Sequence, residues 1–483
     1  MTRTDRTRWL ALLVLCCGDL MIVLDSTIVN VALPSIREDL GFTQTSLAWV
    51  VNGYLLTFGG FLLLGGRLGD LFGHRRLFLI GIVVFTLSSL ACGLAGSQEV
   101  LVIARGVQGF GGAVVSAVAL SLIMILFTEP AERAKAMGVF GFVLSGGGTV
   151  GVLLGGILTD VLSWHWIFLV NIPIGVAVFA ASLQLLPAEH GLETERSLDV
   201  NGAITVTGAL LAATYAIVNG NDAGWTSFQT LGLLGAAVVL LGVFLTIEAR
   251  HPSPLMPLSL FRHRNLASAN VMGVLMAAGL FAAFFVSALY MQLVLDYSPL
   301  EVGLAYLPQT LVWGGVSLFL SDKVVMRYGI KMPIVIGFPA FAVGILLFAR
   351  APVDGNYIVD MLPAMLLQGF GAGIAFNPLL LAAMGDVEPQ DSGLASGVVN
   401  TAFMMGGALG LAILASVAES RTNSLLDDGK SALEALNGGY HLAFIIGAVF
   451  AAAAAVTGAL LLRPKTPPMP QEAPAAEPEP VEA

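Results

Sequence analysis

Charge is what this chain has least of. Asp, Glu, Lys and Arg make up 11% of its 483 residues, against 57% hydrophobic ones, where a soluble protein carries about 25% charged residues. That is too little to cover a water-facing surface, so a soluble globular fold is excluded and a polytopic membrane protein follows. Cysteine is nearly absent: Cys16, Cys17 and Cys92 all fall in apolar runs, with neither the spacing of a metal site nor a disulfide framework. No basic patch could hold a phosphate backbone in a chain of net charge −10, so no nucleic-acid partner is expected. No nucleotide-binding loop is present. His74, His165, His190, His251, His263 and His441 all fall between apolar runs or at their ends, not clustered at one depth as an intramembrane enzyme would need. The longest segment between runs, Glu419 to Gly439, leaves no room for a soluble catalytic or output domain.

What is there is apolar length. At about 20 residues per crossing, fourteen spans can be counted, near 9–33, 46–66, 77–96, 99–127, 134–158, 165–186, 200–220, 228–248, 268–292, 301–320, 332–350, 357–383, 395–418 and 440–462. The runs are continuous, not alternating, which makes them helices and not barrel strands. The first follows Arg3, Arg6 and Arg8 but is too long for a signal core and carries two acids, so it reads as a retained span. With the N-terminus in the cytoplasm, seventeen of the 22 Lys and Arg fall on the inner side and four outside (Arg37, Arg350, Arg421 and Lys430), with Arg105 inside a span. The positive-inside rule selects that orientation, and an even span count returns the C-terminus to the cytoplasm.

The chain also repeats itself. Glu129-Pro130 precedes Gly138, Gly147, Gly148 and Gly151; Glu388-Pro389 precedes Gly397, Gly406, Gly407 and Gly410, each 259 residues on. Gln108-Gly109-Phe110-Gly111 recurs as Gln368-Gly369-Phe370-Gly371, 260 on. The expected organisation is a cytoplasmic N-terminus (1–8), a six-span bundle (9–187), a linker holding two extra spans (188–266), a second six-span bundle (267–463) and a disordered Pro- and Glu-rich cytoplasmic tail (464–483).

Two acids stand inside the first run, Asp19 and Asp25. An acid at the centre of a spanning helix costs about 2.5–3.5 kcal/mol, so such residues are rare and mark function. Six residues of helix set the two roughly 120° apart, so they need not share surroundings. Asp25, nine residues before Pro34, and Arg105, seven after Gln98, come to similar depth, and a buried arginine needs a carboxylate. Two readings stay open: a static ion pair retained for packing, or a pair that a proton on Asp25 can break. Between spans 2 and 3 lies Gly65-Gly66-Arg67-Leu68-Gly69-Asp70-Leu71-Phe72-Gly73-His74-Arg75-Arg76. Asp70 closes one helix and Arg75 and Arg76 open the next, each unfavourable to its helix dipole and in want of a partner. This is a solvated positive loop or a cytoplasmic latch, with a degraded counterpart in Asp322, Arg327 and Lys331.

That loop resembles motif A of the major facilitator superfamily, and Arg105-Gly106-Val107-Gln108-Gly109 resembles its motif B. Leu24-Asp25-Ser26-Thr27-Ile28-Val29-Asn30-Val31-Ala32-Leu33-Pro34 is similar to the first-span signature of the fourteen-span drug:proton antiporter branch. Trp164-His165-Trp166-Ile167-Phe168-Leu169-Val170-Asn171-Ile172-Pro173-Ile174-Gly175 is similar to another, with His165 where arginine is usual. Span 5 resembles the antiporter motif through Gly147, Gly148, Gly151, Gly155 and Gly156, with Val152 in place of proline; spacing alone already makes Gly147, Gly151 and Gly155 a smooth face for a neighbouring helix.

The resemblance implies an all-α fold of two six-helix bundles plus two extra spans, proton coupling through Asp25, Arg105 and Asp19, and a latch of Gly66, Asp70, Gly73, Arg75 and Arg76. Trp49, Asn52, Tyr54, Tyr290, Gln309, Trp313, Asn377, Phe403 and Met404 are the candidates for a substrate cavity; so mixed a set suits amphipathic or cationic organic molecules better than sugars. The implied activity is proton-coupled efflux across the cytoplasmic membrane by alternating access, driven by the proton gradient, without cofactor or metal and with the chain acting as a monomer. A dedicated exporter of one metabolite or self-made antibiotic is the alternative, and an intramembrane enzyme or sensor a remote one.

Overall fold

The computed structural model describes residues 3–43, 45–186, 199–384 and 392–463. The expected tail, the Glu388-Pro389 repeat and the linker stretch around Arg196 lie outside the described residues. Among those described there is no strand, and fourteen long helices follow one another. They are α1 (Arg3–Leu40), α2 (Ala48–Phe72), α3 (His74–Gly93), α4 (Gln98–Leu126), α5 (Pro130–Val161), α6 (Trp166–Leu185, broken at Val170) and α7 (Val200–Val218). After these come α8 (Phe228–Arg250), α9 (Arg264–Leu293), α10 (Pro299–Ser321), α11 (Lys331–Phe348), α12 (Tyr357–Met384), α13 (Ser392–Asp427) and α14 (Ala432–Leu461). Thirteen are long and apolar enough to span a bilayer; α5, with its apolar half Gly146–Val161, is the fourteenth. Helices are the outcome because oil supplies no partner for a backbone group, and a helix satisfies its own.

The ends are set by local chemistry. Ser97 accepts the Val100 N–H at the start of α4, and Ser298 with Glu301 forms a capping box at α10. A single residue, Gly73, joins α2 to α3 at φ +90°, a conformation open to glycine. One expectation is corrected: the long connection Glu419 to Gly439 is mostly helix, α13 running to Asp427 and α14 starting at Ala432. A second capping box, Ser431 with Glu434, starts α14 before its apolar run begins, so helix formation outlasts the hydrophobic stretch that revealed the span.

In the first bundle α4 packs on α2 and α3, while α1 packs on α5 and α6. In the second, α12 packs on α10 and α11, and α9 on α13 and α14. The bundles meet along α5–α10, α2–α13 and α1–α9, and the extra pair α7–α8 lays α7 across α2 and α13. At the Pro34 end the contact is close: a Cβ on Gly156 would stand 2.7 Å from the Pro299 carbonyl oxygen, and Gln292 of α9 donates to the Val31 carbonyl of α1 at 2.9 Å.

Candidate functional site

The first bundle is built around a charge it cannot expose. Arg105 is 1% exposed and Asp25 0%, and the guanidinium is ion-paired to the Asp25 carboxylate. The rest of the arginine is taken up too: its Nε donates to the Val50 carbonyl at 2.9 Å and its Nη1 to Gln108 Oε1 at 2.8 Å. Its carbon lies 4.4 Å from the centre of the Tyr54 ring and 5.6 Å from that of Phe168, so the faces of two rings share the cation. Gln108 Nε2 donates to Asp25 Oδ1 at 2.7 Å, and Asn171 Nδ2 donates to the same oxygen at 3.0 Å. Ser89 Oγ accepts from Gln108 at 3.1 Å and from Asn171 at 3.0 Å, and donates to the Phe168 carbonyl at 2.9 Å. Five side chains from α1, α3, α4 and α6 thus close a buried ring of hydrogen bonds, those to Asp25 and Arg105 charge-assisted, where each is worth most and losing one costs most.

Asp19 sits two turns away in different surroundings. It is 1% exposed, accepts one bond from Ser116 Oγ at 2.7 Å, and its Oδ2 has no partner. The Tyr54 hydroxyl is likewise buried and unpartnered. A carboxylate in oil with one donor and no cation is poorly compensated, and a proton on the free oxygen removes the deficit.

Sequence reasoning named Asp25, Arg105 and Asp19 but gave no role to Gln108, Asn171 or Ser89. Gln108 and Asn171 were visible as amides within apolar runs; Ser89 looked like any small polar residue of a span. The glycine motif lies where close packing requires it: a Cβ on Gly147 would meet Leu20, one on Gly151 Leu24 and Thr27, and one on Gly155 Ile28, while Gly156 faces Pro299. That motif therefore joins α1 to α10 through α5.

At the α2–α3 turn, Gly73 makes the joint while Gly66 lies within α2 facing Ala117, and the side chain of Asp70 lies outside the described residues, as does that of Asp322. Arg75 reaches across to donate to the Leu183 carbonyl at 2.5 Å, one of the carbonyls left free at the end of α6; Arg76 is exposed.

The cavity candidates lie in different surroundings. Tyr54 lies over the Arg105 guanidinium, as a buried cation draws the nearest aromatic face. Tyr290 is also structural, its hydroxyl donating to the Pro352 carbonyl at 2.6 Å. Trp49 packs on Tyr215 of α7 at 6.2 Å, and Met404 lies at the α2–α13 contact beside Gly59. Asn52 is fully buried with no partner for its amide; Gln309 is 2% exposed. Trp313 and Phe403 do come together, each stacked edge-on to Phe376, at 6.4 and 5.5 Å, and Asn377, next along, donates to Ser317 Oγ at 3.0 Å. Phe281 completes this aromatic group at 5.9 Å from Phe403.

Comparison with known proteins adds the following. A family model described as the Major Facilitator Superfamily matches residues 15–411. The chain is 39% identical over 451 residues to the puromycin resistance protein pur8 of Streptomyces alboniger, covering 92% of this chain and 89% of that one. It is 37% identical to the cephamycin export protein CmcT of Amycolatopsis lactamdurans, covering 87% of each. To the multidrug resistance protein Stp of Mycobacterium tuberculosis it is 36% identical, covering 88% of this chain and 78% of that one. Of solved structures, the nucleoside transporter NupG superposes with a TM-score of 0.65 at 13% identity, covering 94% of this chain and 100% of that one. A bacterial homolog of the human lysosomal transporter Spinster does so with 0.64 at 16%, covering 95% and 98%. Likeness at that identity speaks for the fold alone.

Proposed function

The chain belongs to the major facilitator superfamily, a transporter and not an enzyme, and from that premise we propose that it exports hydrophobic or cationic organic compounds in exchange for protons. It sits in the membrane as a multi-pass protein, and the basic loops argue for both termini in the cytoplasm. In this reading the two bundles rock about a midplane site and the aromatic group of Phe281, Trp313, Phe376 and Phe403 offers the substrate ring faces. A cleft of about 540 Å³ between α1 and the α9–α10 turn, lined by Arg37, Glu38, Gln292, Asp296 and Tyr297, opens on the outer side.

The observation that carries the coupling is the contrast between the two buried acids of α1. Asp25 has a cation and two amide donors; Asp19 has one hydroxyl and a free oxygen. Asp19 is the group that loads and unloads a proton, and Asp25 with Arg105 responds to its charge through Tyr54, which lies over the guanidinium. Inward proton flow supplies about 2.3 kcal/mol per charge for each 100 mV of potential. Reconstituted protein with an imposed pH gradient, scanned over a small panel of dyes and antibiotics, tests this directly. Asp19→Asn should abolish gradient-driven efflux while leaving the fold as stable as before; gradient-driven efflux that survives in Asp19→Asn removes that residue from the coupling.

Export of a single compound is the second reading, and it draws on pur8 and CmcT, each named for one antibiotic, whereas Stp is named for many. A resistance profile in a host stripped of its own pumps separates them, since a broad spectrum excludes a dedicated exporter.

A further inference from the structure

Away from the transport core, the base of the extra hairpin holds two more buried acids. Asp199 caps α7, its Oδ1 accepting the Gly202 N–H at 2.7 Å. Glu248 lies in the last turn of α8, its Oε2 accepting the Met256 N–H at 3.0 Å. They are 2% and 3% exposed, and their carboxyl groups face each other within hydrogen-bonding reach. On each, the second oxygen, Asp199 Oδ2 and Glu248 Oε1, has no partner. Nearby is a small apolar cluster, Ala203 of α7, Leu64 of α2 and Leu255 of the following loop, with Phe61, Leu63 and Leu68 packed against it. Among the described residues no cation answers the pair. Arg67 on α2 and Arg250 beside Glu248 form no ion pair with either acid among the described residues, and His251 Nδ1 is occupied by the Ser253 N–H at 3.2 Å. The charged group acting on Glu248 is Asp199 itself.

Two buried acceptors turned toward each other lack a donor, and two carboxylates at that range cannot both be ionised. We propose that Asp199 and Glu248 form a proton-binding site, one shared proton clasping the start of α7 to the end of α8 and seating the hairpin on α2. The docked hairpin then holds a proton that the parted acids would release, so raising the pH loosens the seat and lowering it tightens it. The site lies at the Gly73 end, far along the chain from Asp19 and Asp25, and serves docking of the hairpin, separate from coupling.

The test uses the purified full-length protein in lipid nanodiscs, with no substrate and no gradient, so it stands apart from the export reading. Infrared difference spectra across a pH step, recorded in an Asp19→Asn background so that the acid of α1 adds no band, should show a protonated carboxyl that disappears when either Asp199→Asn or Glu248→Gln is added, since each amide supplies the missing donor permanently. A thiol placed by Ala203→Cys, in a background without the three native cysteines, should label about tenfold faster at high pH than at low, relative to an exposed reference thiol, and should label at a constant low rate when either amide variant is added. The wild-type pair alone decides the matter if a variant does not fold. A pH-independent labelling rate, or a carboxyl band that survives both substitutions, overturns the proposal. So does labelling slowed by magnesium with no carboxyl band, which makes the pair a metal site.

Discussion

Gly147 and Gly151 bring α5 against Leu20 and Leu24 of α1; Gly406 and Gly410 bring α13 against Val274 and Ala278 of α9. Gly111 lets α4 approach the Phe85 backbone, and Gly371 lets α12 approach that of Phe341. Even the end contacts repeat, since Arg75 donates to the Leu183 carbonyl closing α6 and Lys331 to the Leu462 carbonyl beyond α14. Along these equivalent contacts, however, Asp25 of the first bundle corresponds to Gly279 of the second, Ser89 to Ile345 and Arg105 to Met365. Gly279 faces Ile345 and the Gly447 carbonyl, and Met365 is fully buried. Of these positions and Gln108 only the glutamine persists, and Gln368 merely donates to the Gly344 carbonyl at 3.4 Å. The same backbone frame therefore closes with or without a buried ion pair. The charge in the first bundle is not required by the fold, and that points to a use in function.

The largest expected effect comes from breaking the difference between the bundles on one side only. Asp25→Asn leaves Arg105 buried without a counter-charge and should cost about 3–5 kcal/mol, seen as a large drop in thermal unfolding midpoint in detergent. Arg105→Met alone should cost nearly as much. The double variant, which gives the first bundle an uncharged interior like the second, should recover most of the loss yet carry out no gradient-driven efflux. If it stays as unstable as the single variants, the two frames are not equivalent.

Next in size are the shared glycines. Gly151→Val and Gly410→Val each push a side chain into a neighbouring helix backbone, and both should lose about 3 kcal/mol; a clear loss at one site alone would break the packing symmetry. Asn171→Ala takes one donor from a charged acceptor and should cost about 1.5 kcal/mol, with Asn171→Ser restoring part of it. The smallest effect belongs to Gln368→Ala, at about 0.5 kcal/mol by the same measurement, because its bond is long and neutral. A loss there as large as at Asn171 would mean that the second bundle holds a polar core after all.

Spans and repeats could be read from the sequence with little loss, because in oil both obey one-dimensional rules: apolar length makes a crossing, and glycine at every fourth residue makes a contact. The ion pair was legible for a related reason, since two lone charges at like depth have no other partner. The cavity was not. Tyr54, Tyr290 and Trp49 are aromatic residues of spans with the same local signature as Trp313 and Phe403, and nothing in their neighbours along the chain says which will cover a cation, cap a loop carbonyl or face a companion ring.

By itself the sequence determined that this is a fourteen-helix membrane protein in two similar halves, with acids where acids are costly. Only the tertiary structure decided that Asp25 is saturated with donors while Asp19 is not, and that Asp199 and Glu248, 49 residues apart, meet at all. A residue's cost in oil follows from its own chemistry. Whether that cost is offset depends on which groups from other helices arrive within about 3 Å of it, and no pattern along one helix carries that information.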